Sequence, residues 1–443
     1  MPSKQKLKLH ILGGGPAGLA AGYFAKKKNI DIEIFEASDM VGGNCKTIER
    51  GEYRFDTGAH RFHDKNNKVT AELKALMGKD FLNVSAPSKI FKNGALINFP
   101  LNSFNLFRNL KFSSLIKIIY ENIFNRSKYF ESPNNFKELA NKKYGNTLSN
   151  LFLLNYTEKL WGCDPSSLAT GISGGRLKNL DLKNFFKEIF SYTASSNHLD
   201  GSFYYPRYGF GTIFDRMKEH IGSENVKLNS PVKKLIHNGE EIKEIIYREG
   251  HVTKVSEVIN SLPINILINI LKPSPPVEII KAIKSIKYRN LRLCIVFLDM
   301  PYFSRNASIY FPEKIFPFTR IYEPKNRSKA MAPPDKTCIV IEIPYSNNDK
   351  IHLKSEDNLF LEVRSGLIKS GLIEKNKIIG YDFISIDYGY PVLEIDTKNK
   401  LIPVFHYLDK FNNLNYLGRG AEFQYLHTHE IIHKSSILIE KMF

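Results

Sequence analysis

Residues 7–12, Leu-Lys-Leu-His-Ile-Leu, run without a break into Gly13-Gly14-Gly15-Pro16-Ala17-Gly18 and then Leu19-Ala20-Ala21-Gly22-Tyr23-Phe24-Ala25. An apolar strand, a glycine turn and a helix-forming run in that order leave few folds open. Gly13 permits the tight turn, Gly15 lets backbone approach a pyrophosphate, and Gly18 lets helix pack on strand. Pro16 and Ala17 open the helix, whose N-terminus favours negative charge. Three glycines alone are a weak signal, so the residues beyond the helix decide. Lys26 to Asn29 end the helix, Ile30 to Phe35 form a second apolar strand, and Glu36 closes it, 23 residues past Gly13. A carboxylate there accepts both hydroxyls of a ribose and disfavours a 2′-phosphate. The spacing predicts a dinucleotide site.

Past Glu36 the chain reads Ala37-Ser38-Asp39-Met40-Val41-Gly42-Gly43-Asn44. This resembles the glycine pair that comes after the ribose acid in flavoproteins of the amine oxidase clan, where a second turn reaches the phosphates of FAD. The resemblance implies FAD as cofactor and adds Ala37, Gly42, Gly43 and Asn44 to its binding residues. It also implies a backbone contact from Val232, within Pro231-Val232-Lys233-Lys234-Leu235, to the adenine edge.

At 443 residues the chain exceeds one core. The resemblance implies an α/β fold: a discontinuous Rossmann-like FAD domain from 1–90, 203–272 and 414–443, a helical insertion over 91–202, and a mostly antiparallel substrate domain over 273–413. The residues agree locally. Phe112, Leu115, Ile116, Ile119 and Ile123 trace a helical course. Ile242 to Tyr247 and Val252 to Val255 suggest a hairpin, Leu291 to Leu298 and Thr337 to Ile343 suggest strands, and Ile431 to Met442 suggest a closing helix.

Hydrophobic residues at 42% and charged residues at 24% exclude a disordered chain. Cys45, Cys163, Cys294 and Cys338 show no Cys-x-x-Cys pair, which argues against a zinc site and for a reducing cytoplasm. No run of about 18 apolar residues predicts a membrane span. The net charge of +18 favours anionic partners, but no nucleic-acid module is present, so no nucleic-acid partner is expected. Residues 104–130 carry Arg108, Lys111, Lys117, Arg126 and Lys128 against Glu121. That stretch suits a lid packed on the core, with peripheral contact to the inner face of a membrane as the alternative.

Three further patches narrow the resemblance: Gly58-Ala59-His60-Arg61-Phe62-His63-Asp64; Tyr156-Thr157-Glu158-Lys159-Leu160-Trp161-Gly162; and Gly418-Arg419-Gly420-Ala421-Glu422-Phe423-Gln424-Tyr425-Leu426-His427. Together they resemble UDP-galactopyranose mutases and the protoporphyrinogen oxidase-like flavoproteins that accompany surface-glycan biosynthesis. Carried over, the resemblance places His60 and His63 beside the flavin ring, Trp161 near a sugar nucleotide, Arg176 at the substrate, and Arg419 and Tyr425 at its phosphates. It puts Gly418 and Arg419 against the cofactor as well. Guanidinium forks match phosphate oxygens, and Trp161, the only tryptophan, offers a flat face. Two departures stand out. His427 occupies the place of an aspartate in the mutases, and Asn260-Ser261-Leu262-Pro263 replaces a Gly-Pro-hydrophobic-Asp motif. The expected function is therefore FAD-dependent oxidoreduction of a phosphate-bearing sugar derivative. A flavin-dependent pyranose–furanose mutase is the alternative, and a non-enzymatic binding protein on the same fold is the minor one.

Overall fold

Alternation along β1 (Lys8–Leu12) and β2 (Asp31–Phe35) sorts their side chains onto two buried faces. In the computed structural model, which describes residues 8–99, 110–123, 132–173, 202–347 and 349–443, Leu9, Ile11, Ile32 and Ile34 enter one core cluster and Leu12 and Phe35 another. A strand covered on both faces belongs inside a parallel sheet. These two pair in parallel and continue outward through β9 (Val226–Lys227) on one side, and through β13 (Glu257–Asn260) and β20 (Leu414–Tyr416) on the other.

On the first face lie α1 (Pro16–Lys27), α6 (Thr212–Ile221) and α11 (Thr428–Met442), with α2 (Asn67–Met77) beside them. The second face is covered by β10 (Val232–His237), β11 (Ile242–Tyr247), β12 (His251–Lys254) and β14 (Leu271–Lys272), which form a four-stranded sheet. Helices α7 (Ile264–Ile270), α8 (Val277–Ser285) and α10 (Thr397–Leu408) join that cluster through Leu267, Ile283 and Val404. The stretch 273–413, read from sequence as substrate domain, therefore lends α8 and α10 to the cofactor side.

The second large sheet has seven strands: β6 (Ser88–Lys92), β7 (Ala95–Phe99), β15 (Tyr288–Leu298), β16 (Ser308–Tyr310), β17 (Arg320–Tyr322), β18 (Thr337–Tyr345) and β19 (Ile378–Pro391). Apart from the parallel β16–β6 pair, its ladders are antiparallel. The β6–β7 hairpin corrects the expected boundary near residue 91, because residues 88–99 belong to this sheet rather than to the helical insertion. Helix α9 (Glu356–Lys369) packs Leu359, Val363 and Leu367 on one face of the sheet. The opposite face, with Leu293, Ile295 and Val340, meets Phe55 of the small hairpin β3 (Thr47–Arg50)–β4 (Tyr53–Asp56). A second short pair joins β5 (Phe81–Val84) to β8 (Phe203–Pro206).

The described part of the insertion holds α3 (Phe112–Ile123), α4 (Phe136–Leu148) and α5 (Asn155–Trp161), which share a cluster with Ile90, Ile97 and Trp161. Of the stretch 104–130, only residues 110–123 lie among the described residues.

The alternation has one polar exception. His10 and Glu33 point to the second face, where His10 is 2% exposed and its Nε2 lies 3.8 Å from Glu33 Oε2. Burial pulls His10 down to about 4, against the opposing pull of Glu33. Between pH 6.5 and 4 the unfolded chain therefore binds a proton at His10 that the native protein refuses, so stability falls as pH falls through that window. Acidification from pH 7 to 5 is expected to cost on the order of 2 kcal/mol through His10 alone. Urea midpoints of wild type and His10→Gln at the two pH values check this: the variant should lose less, and an equal loss would refute the assignment.

Candidate active site

The glycine turn, Glu36 and the C-terminal turn converge at the carboxyl ends of β1, β2 and β20. Glu36 is buried, with Oε2 accepting from Gly14 N (2.7 Å) and Oε1 from Ser38 N and Oγ (2.9 and 2.8 Å). Oε2 retains a second lone pair for one ribose hydroxyl, and the other hydroxyl can take the place of Ser38 Oγ on Oε1. Gly42 N donates to Gly14 O at 2.8 Å, which lays Gly42, Gly43 and Asn44 beside Gly15. Helix α1 starts at Pro16 with no side chain capping its first turn. Ser230 N bonds Glu36 O at 2.7 Å and brings Val232, two residues on, to the same end of the sheet. At Gly418, φ is +104°, and an added Cβ would come 2.7 Å from Ala17 Cβ. The turn carrying Arg419 is thereby seated directly on the start of α1. These residues fit a dinucleotide: a ribose acid at one end, an uncapped helix N-terminus, and backbone approach too close for side chains.

Beyond that cradle the face of the seven-stranded sheet supplies a second set of residues. Arg320 and Glu342 are cross-strand partners on β17 and β18. Their forked contact runs from Nε to Oε2 (2.8 Å) and from Nη2 to Oε1 (2.6 Å). Glu342 is 1% exposed and also accepts from Ala59 N at 3.2 Å. Glu342 and the surrounding tyrosines hold the Arg320 guanidinium far up in its charged form, overcoming the penalty of burial.

Around this pair stands an aromatic wall. Tyr390 of β19 stacks on Tyr425 at 5.9 Å, and Trp161 meets both edge-on at 5.7 and 6.1 Å. Arg419 lies over the Tyr425 and Tyr390 rings at 5.0 and 5.6 Å, and its Nε and Nη2 hold the Leu426 carbonyl at 3.1 and 2.7 Å. Tyr310 contacts Tyr156, Phe99 and the Arg320 guanidinium. Helix α5, which ends at Trp161, is anchored by Lys159. Its Nζ donates to the carbonyls of Phe311, Glu313 and Phe318 at 2.7, 2.9 and 2.8 Å. Burial draws that amine down to about 7, yet three acceptors use the three protons that only the ammonium carries.

His60 sits between cradle and wall. Its Nε2 lies 2.9 Å from Asn44 O, its Nδ1 4.0 Å from Cys45 Sγ, and its ring stacks on Phe210 at 5.2 Å. Burial, reinforced by Arg327, Arg419 and Arg320, drops it to about 3, so it is neutral at physiological pH. Below it Asp56 accepts from Tyr205 OH, Thr47 Oγ1 and Phe210 N at 2.7, 2.7 and 2.9 Å. Arg61 ties the same loop to the seven-stranded sheet through Ser88 and Ser308.

The structure thus brings His60, Trp161, Arg419 and Tyr425 to one chamber beside the glycine cradle. His63 instead lays its ring against Phe203 of β8, at 6.3 Å, and Arg176 lies outside the described residues. Arg320, Glu342, Tyr310 and Tyr390 escape sequence reasoning. None has a neighbouring motif in the sequence, and only the β17–β18 register reveals the Arg320–Glu342 pair.

Comparison with known proteins agrees with this architecture. The chain superimposes on reduced UDP-galactopyranose mutase with a TM-score of 0.87 at 19% identity, covering 98% of this chain and 95% of that one. It is 24% identical over 256 residues to the dTDP-fucopyranose mutase of Escherichia coli (55% of this chain, 62% of that protein). To the mitochondrial protoporphyrinogen oxidase of Nicotiana tabacum it is 23% identical over 252 residues (51% of this chain, 50% of that protein). The chain therefore spans about half to three-fifths of these two curated relatives. The family model for flavin containing amine oxidoreductases matches residues 16–367, most of the chain. With a cradle that fits FAD and a match of that extent, the chain belongs to the flavin containing amine oxidoreductase family, and its cofactor is FAD.

Proposed function

We propose that the protein acts on a phosphate-bearing sugar and isomerises its ring without net redox change, as a mutase does. The observation that carries this reading is the chamber wall, in which the guanidiniums of Arg320 and Arg419 stand among Trp161, Tyr310, Tyr390 and Tyr425. Guanidinium forks suit phosphate oxygens, and aromatic faces suit the C–H faces of a sugar ring. FAD, when bound, supplies a nucleophile in its reduced form and a hydride acceptor in its oxidised form.

The protein's own groups support the first of those uses. Oxidation of an alcohol needs a group to receive its proton. His60 has both ring nitrogens engaged and is driven down to about 3, and Glu342 has both oxygens engaged by Arg320. Neither is poised as a general base near neutrality. Arg419, anchored by Leu426 O, orients an anion over Tyr425, and Trp161 closes the opposite side. The similarity to two mutases points the same way.

Net oxidation is the second reading, favoured by His427. Where the mutases are acidic, this chain places an imidazole that caps α11 by accepting from Glu430 N and lies 5.6 Å from Tyr425. The similarity to protoporphyrinogen oxidase accords with it.

Anaerobic turnover decides between the readings. Dithionite-reduced protein incubated with a panel of nucleotide sugars is expected to give an isomeric sugar over many turnovers while the flavin stays reduced. Bleaching of the oxidised flavin by a sugar substrate, with no isomer formed, would overturn the mutase reading in favour of oxidation.

A further inference from the structure

We propose that α3 docks the protein on an anionic lipid surface. The helix is apolar on two sides. Leu115 and Ile118 enter the cluster that contains Trp161, whereas Phe112, Ile116 and Tyr120 are 75%, 51% and 55% exposed. Residues four apart lie one above another on a helix, so these three form a single stripe. Isolated exposed apolar residues are ordinary, but an aligned row of this kind marks a contact surface.

The charge pattern selects the occupant. Lys111 and Lys117 are exposed beside the stripe. The acid of the helix, Glu121, is turned inward, where its carboxylate accepts from Thr147 N (2.8 Å) and Oγ1 (2.7 Å). The surface offered is therefore apolar with cationic margins, on a chain of net charge +18. That combination is the one by which an amphipathic helix settles into the headgroup layer of an anionic bilayer. At 12 residues α3 is too short to cross it, and no helix among the described residues is long and apolar enough to span a membrane. The helix lies on the surface, with Phe112 and Ile116 below the headgroups and the lysines level with them. Because α3 packs into the cluster behind Trp161, docking sets the chamber close to the lipid. The inference holds whichever reaction the chamber performs.

Co-sedimentation of the flavin-loaded protein with vesicles tests this. Wild type should bind vesicles of phosphatidylcholine mixed with phosphatidylglycerol, bind phosphatidylcholine alone at least about tenfold more weakly, and lose affinity as salt is raised. The pair Phe112→Ser with Ile116→Ser should lower binding about tenfold or more while the flavin spectrum is unchanged. Lys111→Glu with Lys117→Glu should do the same and abolish the preference for the anionic lipid. Equal binding of wild type and both variants, or no binding of wild type to either vesicle, would overturn the proposal. So would a wild-type dimer that Phe112→Ser with Ile116→Ser converts to monomer without any vesicle binding, since the stripe would then face a second copy.

Discussion

Replacing Glu342 with leucine is expected to destabilise the protein by about 3–5 kcal/mol. The carboxylate is 1% exposed and engages the Arg320 fork with both oxygens while accepting from Ala59 N. Leucine would leave the guanidinium charged among Tyr156, Tyr310 and Tyr390 with no counter-ion, the costly way to break a buried pair. Glu342→Gln keeps shape and hydrogen bonding but not charge, and should lose less. Arg320→Leu combined with Glu342→Leu should recover part of the stability, because the uncompensated charge is gone. Urea denaturation of wild type, Arg320→Leu, Glu342→Leu and the double variant gives the cycle. A loss below about 1 kcal/mol in Glu342→Leu would mean that solvent screens the pair as it does on a surface. Turnover should fall as well, since Ala59 immediately precedes His60.

Gly18→Ala is expected to yield protein without flavin. A Cβ at that position would stand 2.0 Å from Gly13 O and 3.1 Å from both Ile11 Cγ2 and Ser261 Oγ. None of these can yield freely. Ser261 Oγ is already donating to Leu12 O at 2.7 Å, with Gly13 O at 3.2 Å, and the backbone of Gly13 is the turn on which the pyrophosphate rests. Overpacking of this kind costs about 1–3 kcal/mol, and here it is spent where the cofactor binds, so affinity should fall roughly tenfold to a hundredfold. The ratio of flavin to protein absorbance after gel filtration measures it. Gly171→Ala, with open space around the added methyl, is the control and should retain its flavin; equal retention by Gly18→Ala would show that helix and turn separate more easily than their packing implies.

These two sites differ in how far the chain discloses them. The cradle is written locally: strand period, glycine spacing, helix and acid fall within residues 8–36, and each step constrains the next. The chamber is written across distance. Arg320 and Glu342 face each other only because β17 and β18 pair in one register, and Tyr390 reaches Tyr425 only because β19 follows the whole length of β15. Trp161, Arg419 and Tyr425 can be picked out through their motifs, while Lys159, which anchors α5 to three carbonyls, reads in sequence as an ordinary helical lysine. The hairpin at 88–99 passes for the start of the insertion because five-residue strands carry little periodicity, and α8 and α10 look like any amphipathic helices until the core they fill is known. His63 resembles His60 in sequence, but the turn between them sends its ring to Phe203.

The parallel sheet that holds the cofactor begins at Lys8 and is closed by Leu414–Tyr416, some 400 residues later on the same chain. At ordinary rates of synthesis the first strand leaves the ribosome about 20–80 s before the last. Throughout that interval the glycine turn exists without the Arg419 turn that seats on it and without α11, which packs on α1. The seven-stranded sheet is itself complete only once β19 (Ile378–Pro391) has been made, and a nascent chain cannot retain its flavin until residues 414–442 follow, so the cofactor acts as a reporter of a closed cradle. Chains stopped short of residue 414 should be left with an open edge at β13 and fall to quality control rather than accumulate as partial enzymes.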